Sequence, residues 1–465
     1  MAKPVIKPLV VLLFSLTLLC LLVSECSAIR RHKRRMGQRA QLSLEECGDL
    51  EKLEAIEPDY YRIEAEGGVT ESWNHTNKML RCAGVTLIRR TIKPGGLVLP
   101  SYTNAPQLMY YVKGSGIQGM TIFPSCPESF EEPEERGQGY REQHQKVHEI
   151  RGGDIIAIPA GIGYWFYNDG DIPIVVVILL HTNNVANQLG TLPRRFYIAG
   201  NTEDEHGLGG REESISGRNV FSGISVNLLA EVFGVSVETA RKMQGAEDKR
   251  KNIVMVEGGL DVIRPEPGSR ANVNGLEETI CTLRVREAVG SAARADIYVP
   301  HAGRIATLNS IKLPILADLQ LSAERGVLYK YGVYVPHWNL NAHSVMYVTG
   351  GSGRVEVADN NGKSVFDDVM KEGQVVVIPQ NFVAVMHAQE EGFEWIAFKT
   401  GENAMINALM GESSAIRVLP LDVVANMYQV SREDAARIKE ARDQAILFTL
   451  PPFDEETPQG IMAEA

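Results

Sequence analysis

Short apolar runs separated by turn residues dominate residues 85–180. Val85-Thr86-Leu87-Ile88, Met109-Tyr110-Tyr111-Val112, Ile155-Ile156-Ala157-Ile158 and the apolar stretch 172–180 are too short for helices and rich in β-branched and aromatic side chains. Such closely spaced strands with Gly and Pro between them predict a sandwich or barrel, and the unbroken apolar run at 172–180 predicts a strand covered on both faces. The charged, glycine-rich residues 128–142 read as a mobile loop, and the polar residues 201–217 as a linker. Helical spacing follows. Leu228, Leu229, Val232 and Phe233 share a face, and Ser236 caps a second helix containing Thr239 to Met243.

The second half repeats this order. Strands are expected at 327–335, 345–348, 354–357 and 374–378, with helices from 403 to 444. The turn Gly153…Ile158-Pro159 recurs as Gly373…Ile378-Pro379, and Val235-Ser236-Val237-Glu238-Thr239-Ala240 recurs as Val430-Ser431-Arg432-Glu433-Asp434-Ala435. The pattern is a duplicated, mainly β unit, each barrel followed by an α-helical extension.

Composition fits this picture. The 465 residues are 44% hydrophobic, enough for two substantial cores, and the net charge of -11 argues against nucleic acid as a partner. Residues 1–28 read as a cleaved secretory leader, with lysines before an apolar run and small residues at Ser27-Ala28. The basic run that follows reads as a solvated arm, so no membrane association is expected once the leader is removed. Cys47, Cys82, Cys126 and Cys281 remain beyond the leader. Without CxxC spacing they indicate structural disulfides, with three pairings open. Asn74-His75-Thr76 is a candidate glycosylation site. Asn274-Gly275, in a turn-rich segment between the halves, is a candidate protease site.

Gly114-Ser115-Gly116-Ile117-Gln118-Gly119 spells a dinucleotide fingerprint but precedes a strand-like run. It reads as a hairpin turn, and so does Gly350-Gly351-Ser352-Gly353. No nucleophile with a supporting base stands out.

Gly114, Gly153, Pro159, Gly161 and Asn168, with Gly350, Gly373 and Pro379 in the second half, resemble the two signatures of the cupin superfamily. Within it the chain resembles the legumin-type (11S) seed storage globulins. In that alignment the metal-ligand positions fall on Pro100, Tyr102, Gln107 and Tyr164 in one barrel, and on Pro336, Trp338, His343 and Ala384 in the other. Metal catalysis needs several converging N/O ligands, so neither a metal nor another cofactor is expected. Tyr102, Tyr164 and Trp338 read as barrel filling. Alternation turns His337 away from the face of Pro336 and Trp338, which leaves His343 as the one histidine able to face inward.

The resemblance implies a bicupin of two jelly-roll domains. The expected division is a leader over 1–28, an arm over 29–46 and a first barrel over 47–200, with a linker and helices over 201–260. A junction over 261–280, a second barrel over 281–400, helices over 401–450 and a tail over 451–465 complete it. It further implies a precursor cut at Asn274-Gly275 by an asparaginyl endopeptidase, with Cys126 paired to Cys281 and Cys47 to Cys82. Trimers of like subunits becoming hexamers, and deposition through the secretory pathway in protein storage vacuoles, also follow, with the extracellular space as the alternative location. The apolar faces at 228–233 and 423–427 are the expected interfaces. The sequence departs from the family in two ways: residues 275–465 hold more acidic than basic side chains, and the Glu/Gln-rich insert before the junction is nearly absent. A metal-dependent bicupin enzyme of the oxalate-degrading type, and a small-ligand-binding cupin, are the rival readings.

Overall fold

A computed structural model of the chain describes residues 47, 50–121, 128–130, 143–145, 147–201, 218–262, 283–440 and 446–450. Within them the first half forms two facing antiparallel sheets. One runs in the order Tyr61–Ala65, Gly68–Ser72, Thr86–Ile92, Ile174–Leu180, Gln107–Lys113, Asp154–Ile158 and Arg286–Ala288. The other runs Arg195–Tyr197, Gly96–Thr103, Gly163–Tyr167, Ser115–Thr121 and Val147–Arg151, with Ile253–Met255 also paired to Gly96–Thr103. The apolar run at 172–180 is indeed a central strand, laddered to Thr86–Ile92 on one side and to Gln107–Lys113 on the other. The glycine-rich stretch is not the expected hairpin: Gly114, at φ +88, carries the chain from Gln107–Lys113 in one sheet to Ser115–Thr121 in the other, and residues 115–119 belong to that second strand.

The second half is one curled sheet built on two long strands, Ser344–Ala358 and Val383–Lys399, paired along most of their length. Val383–Lys399 bonds Gly332–Asn339 through its first part and Ser322–Leu328 through its last, so a single strand serves both walls. Two expectations change here. Residues 350–353 are not a hairpin turn but a bulged bend inside a continuous strand, with register shifts on either side of Gly350 and Gly351. Gly351 has φ +68, and a Cβ there would lie 2.1 Å from the Gly392 carbonyl oxygen, so the long strands bend together at two glycines. The apolar run 327–335 is likewise not one strand. It spans the end of Ser322–Leu328, a turn with Tyr331 at φ +58, and the start of Gly332–Asn339.

The helices after the first barrel lie where periodicity and caps place them, but those of the second half begin later than 403: Ile406–Ala408 is a strand paired to Gly332–Asn339, and helices occupy Ala415–Val418, Leu421–Tyr428 and Arg432–Glu440. Ser236 accepts the Thr239 amide ahead of Val237–Gln244, and Ser431 accepts the Asp434 amide ahead of Arg432–Glu440. Val226–Phe233 packs Leu229 and Ala230 against Ala240, Phe221 and Met243. Its other face is open: Leu228 is 53%, Val232 71% and Phe233 50% exposed. In Leu421–Tyr428 the buried residue is Val424, while Val423, Met427 and Tyr428 are exposed. Among the described residues no helix is long and apolar enough to cross a membrane.

The two halves exchange strands. Near the start of the chain, Leu53 donates its amide to Val365, and Ile56 and Val375 bond reciprocally at 2.8 and 2.9 Å, all on the second barrel. Trp73, fully buried, donates its indole to the Ile56 carbonyl and meets Tyr347 edge-on at 6.0 Å. In return, Arg286–Ala288 joins the first barrel beside Asp154–Ile158, and Gly153 accepts the amides of Val289 and Gly290. The contact is close because neither glycine carries a side chain. A Cβ on Gly153 would come within 2.8 Å of the Gly290 Cα. The buried Asp154 carboxylate accepts Arg286 Nε at 2.9 Å across this junction.

Replacing Arg286 with Ala leaves a buried carboxylate without its cation and is expected to cost about 2 kcal/mol, less than a fully buried pair because Arg286 is partly exposed. A lowered urea midpoint at constant slope is the expected result; an unchanged midpoint would assign the pair no role in holding the exchanged strand.

Candidate functional site

The interior of the first barrel begins with strand phase. On Gly96–Thr103, Ser101 and Thr103 are buried while Pro100 and Tyr102 are partly exposed. Tyr102 stacks on Phe196 at 5.0 Å, outside the interior. On Gly332–Asn339 the same holds: His337 and Asn339 are buried, and Pro336 and Trp338 partly exposed. Tyr102 and Trp338 are therefore not barrel filling. The inward positions are their neighbours, Ser101 and Thr103 in one barrel and His337 and Asn339 in the other. A bulge between Tyr334 and His337 shifts the register by one residue, which alternation read from sequence does not register. Tyr164 is fully buried and does fill its barrel.

Around Tyr164 the first barrel holds a polar network. Arg195, on the strand Arg195–Tyr197, donates to the Tyr164 hydroxyl, to Ser101 Oγ at 3.1 Å and to Gln107 Oε1 at 3.4 Å. The Gln107 amide donates to Thr103 Oγ1 at 2.7 Å, and the Tyr164 hydroxyl donates to Gln107 Oε1 at 3.2 Å. Arg90, from Thr86–Ile92 on the facing sheet, lies 6.0 Å above the Phe166 ring and also reaches the Tyr164 phenol. Burial alone raises the Tyr164 pKa, but Arg195 and Arg90 together pull it below its ordinary value. Burial and the neighbouring Arg195 lower that of Arg90.

The second barrel places an ion pair in the corresponding space. Lys399, fully buried, donates to Asn339 Oδ1 at 2.9 Å and lies 3.6 Å from Glu324 Oε2. Trp395 Nε1 donates to Glu324 Oε1 at 3.4 Å, and His337 stacks on Tyr334 with ring centroids 3.9 Å apart. His337 Nδ1 is hydrogen-bonded to the Val335 carbonyl at 2.8 Å. His343 does not face this interior. Its Nδ1 accepts the Gln380 amide at 3.2 Å, and a ring nitrogen lies within 4.8 Å of the Cys82 sulfur, at the contact between the halves.

Cupins that bind metals use these interiors, so the donors present decide whether an ion fits. They do not fit one. The inward set of the first barrel is Ser101, Thr103, Gln107 and Tyr164, under two guanidiniums; that of the second is His337, Asn339 and Ala384, with an ammonium already on the one carboxylate. In the first barrel the two guanidiniums repel a cation, and in the second the one carboxylate, Glu324, is already paired with Lys399. The charges that matter, Arg90, Arg195, Glu324 and Lys399, were not singled out from the sequence. Their signal is a charged residue on the buried phase of an apolar strand, as in Leu87-Ile88-Arg89-Arg90-Thr91-Ile92 and Trp395-Ile396-Ala397-Phe398-Lys399.

Cys82 is buried and disulfide-bonded, and Cys47 is also disulfide-bonded. Asn74 Oδ1 accepts the Thr76 amide at 2.9 Å and its hydroxyl at 2.7 Å in a half-buried turn. Cys126, Asn274, Gly275 and Cys281 lie outside the described residues.

The family model described as Cupin matches residues 53–204 and 289–436. An 11S globulin of Juglans nigra is 47% identical, covering 97% of this chain and 97% of its own length. Among solved structures, coconut allergen cocosin superposes with a TM-score of 0.78 at 44% identity, covering 86% of this chain and 100% of its own. Procruciferin, the 11S globulin from Brassica napus, reaches 0.80 at 41% identity, covering 88% and 99%.

Burial holds the His181 and His337 rings down to a pKa of about 4. In the unfolded chain both take up a proton as the pH falls below 6.5, and in the folded protein only near 4. Burial lowers His343 to about 4 as well, so across that window the unfolded state binds up to three more protons and stability is expected to fall with decreasing pH by up to about 4 kcal/mol per unit. Urea unfolding at pH 7 and pH 5 measures this, and His337→Gln is expected to remove about a third of that slope.

Proposed function

The chain belongs to the cupin superfamily and, within it, to the legumin-type 11S seed storage globulins, and on that premise we propose that its work is accumulation as a nutrient reserve. The observation that carries this reading is that neither barrel interior offers a converging set of metal ligands: the first holds Ser101, Thr103, Gln107 and Tyr164 with Arg90 and Arg195, and the second His337, Asn339 and Ala384 with the Glu324–Lys399 pair. A reserve protein needs density, solubility and resistance to proteolysis until it is used, and two close-packed barrels with exchanged strands favour all three. The metal-dependent enzyme reading has no such support, because its ligand set is not there.

The finer steps belong to the same proposal. An asparaginyl endopeptidase cuts Asn274-Gly275, Cys126–Cys281 links the two pieces, and Cys47–Cys82 closes a loop within the first. The position of Arg286–Ala288 in the first barrel supports this order of events, since it lies beyond the cut and keeps the second piece in the first piece's sheet. The open faces at Leu228, Val232 and Phe233 and at Val423, Met427 and Tyr428 support assembly of like subunits into trimers and then hexamers. Deposition in seed protein storage vacuoles completes the reading, and Asn74 remains a candidate for glycan attachment.

Electrophoresis of protein purified from its source is expected to give two bands with reductant and one without; a single band under both conditions would remove the cut from the proposal. Leu228→Asp combined with Val232→Asp is expected to shift the native assembly toward monomer by size-exclusion chromatography with light scattering, while the unfolding midpoint of the monomer changes little, because both side chains are exposed. An assembly unaffected by both charges would place the interface elsewhere.

A further inference from the structure

Arg90 and Arg195 bring two positive charges into the first barrel with no carboxylate among the groups that act on them. Arg90 is influenced by Arg195 and by the phenols of Tyr164, Tyr197 and Tyr61, and Arg195 by the same three phenols. Several of their donors are unused. Arg90 Nε and Nη1 and Arg195 Nε are buried with no hydrogen-bond partner, and so is Gln118 Nε2, whose oxygen is taken by the Tyr111 hydroxyl at 2.7 Å. Arg90 and Gln118 are 0% exposed. These donors come from both sheets, Arg90 from one and Gln118 and Arg195 from the other, so they share the interior.

A buried cation without a counter-ion costs several kcal/mol, and two near one another cost more. Water can supply hydrogen bonds to such groups but no charge. The second barrel has met the same requirement internally, with Lys399 beside Glu324. The first has not. The missing component is therefore negative, small enough for the interior, and rich in acceptor oxygens.

We propose that the first barrel binds one small oxyanion, a carboxylate or phosphate, between Arg90 and Arg195, with Gln118 as a further donor. The metal position of the fold has become a site of the opposite sign: where a cation would sit among ligands, two fixed cations now await an anion. Arg195 lies on Arg195–Tyr197, the edge strand of its sheet. The site goes beyond the storage role and does not rest on processing or assembly.

The test uses full-length protein dialysed free of oxyanions. Isothermal titration with sodium acetate and, separately, sodium phosphate, each matched in ionic strength with sodium chloride, is expected to show saturable binding of one anion per chain. Acetate saturating alone marks a carboxylate site, and phosphate alone a phosphate site. Arg195→Gln is expected to weaken binding at least about tenfold, the loss of a charge-assisted contact. Arg90→Met is expected to raise Tm in oxyanion-free buffer by removing an uncompensated charge, and to abolish the rise that the anion produces in the unaltered protein. Tyr164→Phe keeps both guanidiniums and is expected to retain binding, which keeps the test decisive if an arginine variant does not fold. No saturable binding of either oxyanion to the unaltered protein or to Tyr164→Phe overturns the proposal. Binding that survives unchanged in Arg195→Gln or Arg90→Met also does, because it places the anion elsewhere.

Discussion

The reciprocal exchange of backbone hydrogen bonds between the two barrels is the constraint on which the rest of this protein depends. Leu53 and Ile56 complete the second barrel, and residues 285–290 complete the first. Buried main-chain groups must find partners, and here each half supplies what the other lacks. The exchange also fixes how the halves meet. His181 Nδ1 and the Asn184 amide both engage the Leu319 carbonyl, and the Arg325 guanidinium lies 6.0 Å over the Tyr110 ring.

Inside the barrels, electrostatics separates two halves that share a fold. Glu324 and Lys399 neutralise each other in the second, and the Asn339 and Trp395 side chains satisfy their remaining polar atoms. Arg90 and Arg195 have only neutral phenol, amide and hydroxyl groups beside them in the first. Low-dielectric surroundings strengthen both arrangements, the pair by attraction and the arginines by mutual repulsion. A duplicated scaffold has thus kept its walls and diverged in the sign and balance of charge at its centre.

Much of the architecture was legible in the sequence because it rests on local signals. The Gly153…Pro159 and Gly373…Pro379 turns, the Ser236 and Ser431 caps and the central strand at 172–180 each follow from a few neighbouring residues. What was not legible depends on partners distant in the chain. Alternation says that His337 and Trp338 point to opposite faces but not which face is inside, and the bulge after Tyr334 decides that in favour of His337. Val348-Thr349-Gly350-Gly351 reads as a strand meeting a turn, until the pairing with Val383–Lys399 shows the strand continuing. Arg286–Ala288 pairs with residues more than 100 positions earlier, and nothing in its own composition announces this. Arg90 has the same difficulty: a lone cation in a strand is an exposed face by default, until its burial is known.

The exchanged strands also order events during synthesis on the ribosome. The first barrel leaves the Asp154–Ile158 edge open until residues 285–290 have emerged, and Leu53 and Ile56 wait longer still for Val365 and Val375. For that interval the nascent polypeptide displays an unpaired strand edge of the kind that recruits neighbouring chains, so the order in which its partners emerge sets how long it is exposed to misassembly.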